Sequence, residues 1–239
     1  MAEMMLAFRR SLSSLGQGKV WRYILGPALA AVLCMVAASI AFLDYLITSF
    51  IEQPPMSWIA EWGAFWLAKA LAALGGWLVI LSASYLVAML LTAVFVLPLM
   101  LNHVAATDYP DLARQGKDSI VASTWNSVWA AVLFVFGWAV TLPLWLVPGF
   151  GLFLPLFWMA WLNRRTFAYD VLSTHATSGE WRELRQRKST PLLLLGFGMA
   201  ALTHVPFVGL LAPSFAALAY IHFCLEALRR LRQGAVVSV

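Results

Sequence analysis

The chain has 239 residues, of which 62% are apolar and only 11% charged, against about 25% charged in ordinary soluble domains. Its formal net charge is +5 and its mean hydropathy +0.80. Sixteen Lys and Arg with eleven Asp and Glu cannot coat a soluble domain of this size, so a soluble globular enzyme, a disordered chain and a disulfide-stapled secreted domain are excluded.

In chain order, residues 1–22 read as an amphipathic cytoplasmic N-terminus. Met4, Met5, Leu6, Phe8, Leu12 and Leu15 accompany Arg9 and Arg10, a pattern suited to the inner membrane surface. Charge-free stretches then cover residues 23–43, 70–107, 119–163 and 189–225. Each passes the length of about 20 residues that a spanning helix needs. The first reads as a spanning helix over 23–50, with Pro27 in its opening turn and Asp44 near its far end. Cys34 here and Cys224 later sit in apolar runs and read as inert thiols. Trp58, Trp62 and Trp66 recur every four residues, which predicts one face of a helix and an interfacial belt. Ala68, Ala72 and Gly76 share that spacing and suit close helix packing. A second spanning helix is expected over 66–100, with Pro98 marking a kink or end and Asn102 and His103 at the interface.

The last two apolar stretches differ. One contains Pro143, Pro148, Gly149, Gly151 and Pro155; the other contains Pro191, Pro206, Gly209 and Pro213. Such clusters break helices. The pieces between them fall short of a hydrocarbon core of about 30 Å. Residues 119–170 and 189–228 therefore read as two helical hairpins that partly penetrate the membrane, followed by a cytoplasmic tail over 229–239 in a single membrane domain, 1–239. A repeat supports this: V-P-x-x-G-L-x-x-P occurs at 147–155 and again at 205–213. In it the first proline ends one helix, the glycine permits a turn, and the second proline suits the first turn of the next helix. Broken backbone within a bilayer must be covered by protein or line a water-filled cavity. The hairpin tips, with Pro148, Gly149, Gly151, His204, Pro206 and Gly209, are thus expected to line a pathway or to face each other or another subunit.

Basic residues set the topology. Arg9, Arg10, Lys19 and Arg22 precede the first helix; the segment 164–188 has six basic residues against three acidic; Arg229, Arg230 and Arg232 close the chain. With two hairpins, all of these lie in the cytoplasm, as do both termini. Six full crossings satisfy the same charges, so only helix length favours the hairpins. Arg182, Arg185, Arg187 and Lys188 read as a solvated cytoplasmic face.

Chemistry-bearing motifs are scarce. There is no H-E-x-x-H, G-x-S-x-G, G-x-G-x-x-G or P-loop, and His103, His175, His204 and His222 do not pair at metal-ligand spacing. No catalytic residue, cofactor or metal is expected. Anion binding fits better: Gly18, Lys19 and Arg22 stand just before the first spanning helix, where backbone N–H groups and the helix dipole favour negative charge. Lipid phosphate is the plainer partner for the same residues.

Several short motifs occur in a fixed order: 22–27 (RYILGP), 94–99 (VFVLPL), 147–151 (VPGFG), Ala160-Trp161 with Tyr169-Asp170, and the 205–213 turn. Together, over residues 15–230, they resemble the CysZ-type sulfate-uptake proteins, which share a family with the etoposide-induced membrane proteins of eukaryotes. The resemblance implies an all-α membrane protein of two long spanning helices and two partly penetrating hairpins, a homo-oligomer in the bacterial inner membrane. It also implies sulfate passage, with the anion held by a G-x-R-R-like stretch before the first helix. Here Lys19 stands at that glycine and Trp21 at the first arginine; only Arg22 matches. The resulting expectation is an inner-membrane permease or channel for a sulfate-like anion. The alternative is a non-transporting membrane scaffold or envelope-maintenance protein.

Overall fold

The computed structural model describes residues 2–117, 119–146, 150–203 and 208–234. Pro148, Gly149, His204 and Pro206 lie outside them, so the expected pathway role of the hairpin tips falls outside the described residues. Every regular element described is helical: α1 (Ala2–Ser14), α2 (Gly18–Glu52), α3 (Met56–Glu61), α4 (Phe65–Leu91), a π-helical turn (Thr92–Val96), α5 (Leu97–Asp108), α6 (Ile120–Val140), a 3-10 turn (Leu142–Leu146), α7 (Phe150–Asn163), a second π-helical turn (Arg164–Ala168), α8 (Tyr169–His175), α9 (Ser178–Arg187), α10 (Ser189–Leu202) and α11 (Val208–Arg232). Four helical stretches are long and apolar enough to cross a membrane: Gly18–Glu52, Phe65–Asp108, Val121–Val140 and Leu211–Arg232. This is an all-α membrane protein.

The chain divides into two compact units, Ala28–Ala88 and the remainder, Met1–Pro27 with Met89–Val239. In the first, Leu29, Leu33, Val36 and Ile40 of α2 are exposed along one helical stripe. An outward apolar stripe is what lipid demands. Ala68 and Ala72 of α4 are fully buried. A Cβ on Gly75 would lie 3.1 Å from the Phe50 ring, and one on Gly76 would lie 3.2 Å from Leu43. Small residues thus let α2 and α4 approach closely, as their spacing predicted. The tryptophans do not share a helix face. Trp58 is in α3, Trp62 caps that helix, Gly63 turns the chain at φ +83°, and Trp66 falls in α4. The left-handed glycine interrupts the four-residue spacing. All three rings are exposed.

In the second unit, α11 is the core. Ala216 through Phe223, with Cys224, Leu225 and Leu228, is buried on every side. Alanines at 216, 217 and 219 allow neighbours to close in, and α1, α5, α8, α9 and α10 all pack on it. By contrast α6 exposes Val121, Trp125, Val128, Val132, Val135 and Phe136, again an outward apolar stripe. The α6–α7–α8 hairpin is antiparallel. Trp158 Nε1 donates to Thr141 Oγ1 at 3.1 Å, Asn126 Nδ2 donates to the Arg165 carbonyl at 3.1 Å, and the Ser123 hydroxyl donates to Asp170. The second hairpin pairs α10 with α11, where Tyr220 Oη donates to the Leu192 carbonyl at 2.8 Å. The hairpins meet through their short arms, with Gly196 of α10 against Ala160 of α7.

Each hairpin joins unequal arms. Helices α6 and α11 have 21 and 25 residues, α10 has 14, and the apolar part of the α7 arm, Phe150–Asn163, has 14 before that arm continues through Arg164 and Arg165 into α8. At about 1.5 Å per residue these two apolar segments reach roughly 21 Å, below the thickness of about 30 Å. The two hairpins therefore contribute one helix of spanning length apiece beside the two expected spanning helices.

The prolines behave differently from expectation. Pro155 and Pro213 lie inside α7 and α11, beyond the first turn. In both copies of the repeat a glycine, Gly151 or Gly209, stands four residues earlier, at the carbonyl that a helical proline crowds. Gly209 has a second constraint, since a Cβ there would run into the Thr203 carbonyl. Pro98 does not end its helix. The π-helical turn at Thr92–Val96 comes just before it, and α5 continues to Asp108. The wide turn absorbs the missing N–H and the ring.

Candidate functional site

Helix α2 begins at Gly18 rather than near Tyr23, so Gly18, Lys19 and Arg22 stand on its opening turns, and all three are exposed. Trp21, at the place of the family's first arginine, has a structural task. Its Nε1 donates to the Leu15 carbonyl at 2.8 Å and ties down the turn between α1 and α2. His103 Nε2 donates to Gln17 Oε1 at 2.9 Å on the same turn.

Helix α1 is clamped to α11 and to the end of α5. Arg10 Nη1 donates to Tyr109 Oη at 2.8 Å and to Glu226 Oε2 at 2.6 Å. The His222 ring is buried between Ser14 Oγ at 2.9 Å and Tyr109 Oη at 3.2 Å. These are packing roles. Of the hairpin residues named from sequence, Gly151 and Gly209 fall in the opening turns of α7 and α11. Among the described residues no group of three His, Cys, Asp or Glu is placed to hold a metal ion.

Sequence reasoning missed three uncharged polar residues buried in this second unit. Thr92 sits on the first π-helical turn, Ser127 on α6 and Asn163 at the end of α7, each at most 1% exposed. Thr92 Oγ1, Ser127 Oγ and both polar atoms of the Asn163 amide have no hydrogen-bond partner. The first π-helical turn packs on α6, and α6 packs on α7 and the second π-helical turn. An unsatisfied buried polar group costs about 1–3 kcal/mol, and polar residues at membrane depth mark functional sites. The only sequence signal was a hydroxyl or amide inside or ending an apolar run, which resembles any packing residue until burial is known.

The second feature is basic. A cavity of about 580 Å³ opens where α7 and its π-helical turn meet α9 and α10. Arg164, Arg165, Arg182 and Arg185 line it, with Trp161 and Trp181. Arg182 and Arg185, expected on a solvated face, are exposed and line this cavity.

A model of the family "Sulfate transporter CysZ/Etoposide-induced protein 2.4" matches residues 7–213. The chain belongs to this family. No curated protein and no solved structure matches it significantly. The family is one of transporters, which ties the chain to sulfate-related membrane transport. The match includes the α2 start, the buried amide and hydroxyls and the arginine cavity. It stops before His222 and Glu226.

Proposed function

We propose that the chain is a permease or channel that moves a sulfate-like oxyanion across the bacterial inner membrane, as a homo-oligomer with both termini in the cytoplasm. The observation that carries this reading is the set of buried, unpartnered donors at Thr92, Ser127 and Asn163. Conduction needs sites that replace part of an ion's hydration without holding it. Neutral hydroxyl and amide dipoles meet that need, whereas buried arginines would trap a dianion. Lys19 and Arg22, on the positive end of the α2 dipole, serve as the capture point.

Sulfate uptake into proteoliposomes tests the reading. The native chain is expected to exceed protein-free vesicles. Asn163→Ala is expected to slow uptake about tenfold, the scale of one lost polar contact. Arg22→Ala is expected to weaken the dependence on external sulfate concentration. Uptake no faster than through empty vesicles would leave the non-transporting scaffold as the better description.

A further inference from the structure

The Arg164, Arg165, Arg182 and Arg185 cavity gathers four guanidinium groups with no carboxylate on its wall. Five arginines elsewhere pair with acids. Arg10 and Arg230 reach Glu226, Arg187 reaches Glu183, Arg229 reaches Asp111, and Arg232 reaches Glu180. Of the acids closest in sequence to the cavity, Glu180 pairs with Arg232 and Glu183 with Arg187, while Asp170 accepts from Ser123 through one oxygen and does not line the cavity. Among the described residues none of the four cavity arginines makes an ion pair. Arg164 Nη1 instead donates to Ser189 Oγ at 3.0 Å, the Arg185 guanidinium lies 5.7 Å from the centre of the Trp181 ring, and Arg165 Nε is buried without a partner.

The walls are held in place before any ligand arrives. Helix α9 starts on a reciprocal capping box between Thr177 and Glu180. Arg232 Nε donates to Glu180 Oε1 at 2.8 Å, fixing that helix to the end of α11, and the Trp181 ring meets Tyr169 edge-on at 5.8 Å. Four cations held together by such a frame repel one another unless an anion sits among them, and planar guanidinium forks match tetrahedral oxyanions. The apolar stretch of α7 ends here and that of α10 begins here, beside tryptophans, which is the composition of a membrane interface.

We propose that this cavity binds a tetrahedral oxyanion of the phosphate or sulfate type, carried on an anionic lipid headgroup or present as the free ion. The proposal goes beyond the transport reading and does not depend on it, because binding is measured without a gradient or flux.

The full chain, purified in neutral detergent, is titrated with phosphatidylglycerol or phosphatidylcholine by native mass spectrometry. In parallel, its thermal midpoint is followed in inorganic sulfate, inorganic phosphate and chloride at matched ionic strength. Preference for phosphatidylglycerol over phosphatidylcholine identifies a headgroup site. A rise with sulfate or phosphate above that with chloride identifies a free-ion site. In either case the Arg182→Gln/Arg185→Gln double variant is expected to bind about tenfold more weakly, the scale of lost charge-assisted hydrogen bonds. Arg182→Gln alone, at an exposed position without a hydrogen bond or ion pair in the fold, leaves folding intact and is expected to lower affinity in the same direction. Equal binding of both lipids together with equal midpoints in all three salts overturns the proposal, as does undiminished binding by the double variant.

Discussion

The Asp170 carboxyl is 3% exposed, accepts a hydrogen bond from Ser123 and has no partner for its second oxygen. It lies outside the four spanning stretches. Burial pushes its pKa up to about 7 against the opposing effect of the Ser123 bond. The folded chain therefore holds this proton where the unfolded chain has lost it. The stability this contributes is complete below about pH 4 and is lost as pH rises through about 7, by at most about 1.4 kcal/mol per pH unit. Thermal midpoints taken from pH 5 to 8 are expected to fall for the native chain, and Asp170→Asn is expected to flatten that fall. Sequence placed Asp170 within a motif but carried no sign of its burial. Gly196 is a second case. A Cβ there would stand 2.7 Å from the Ala160 carbonyl and 2.8 Å from Tyr220 Oη. Gly196→Val is expected to cost about 1–3 kcal/mol by overpacking, read as a lower unfolding midpoint, whereas Gly198→Ala, which meets open space, is expected to change little.

Among the elements, α1 shows how a short helix gains a fixed place. It buries Ala7, Ser11 and Ser14. Small residues face α11, the half-exposed Phe8 ring meets Phe215 of α11 edge-on at 5.7 Å, and Met5 and Leu12 are left outward, as suits lipid. Polar contacts complete the attachment, through Arg10 to Glu226 and Ser14 to His222. A double-mutant cycle of Arg10→Ala with Glu226→Gln is expected to give a coupling of about 0.5–1 kcal/mol, modest because Arg10 remains partly exposed. The amphipathic pattern of α1 was legible in the sequence, but its partner lies more than two hundred residues away. The π-helical turns were not legible, since a widened turn depends on how the flanking helices pack.

At the scale of the molecule, α11 carries Ser214, Tyr220, His222, Cys224 and Glu226 and is enclosed, while α6 carries a lipid-suited stripe and is exposed. In a bilayer the more polar helix belongs inside because protein can satisfy its groups and lipid cannot. Contacts from α1 and α9 to α11 bring the basic N-terminal segment and the 164–188 segment to one helix. Single cysteines at Ser13, Gln186 and Gln233, in a Cys34→Ser/Cys224→Ser background, are accordingly expected to react with a membrane-impermeant reagent from the same side. Labelling of one from the opposite side would refute the shared cytoplasmic placement.

Composition and charge spacing alone determined an all-helical membrane chain with four long apolar blocks, because lipid admits only helices and closed barrels, and barrel strands are short and alternate polar with apolar residues. The ordered motifs determined its family. Tertiary structure decided which apolar helix is enclosed, that Trp21 serves a turn, that arginines 164, 165, 182 and 185 share one cavity, and that Thr92, Ser127 and Asn163 lie without partners. Each of these depends on which distant segment supplies or withholds the neighbouring group, and pattern along a single chain does not encode that.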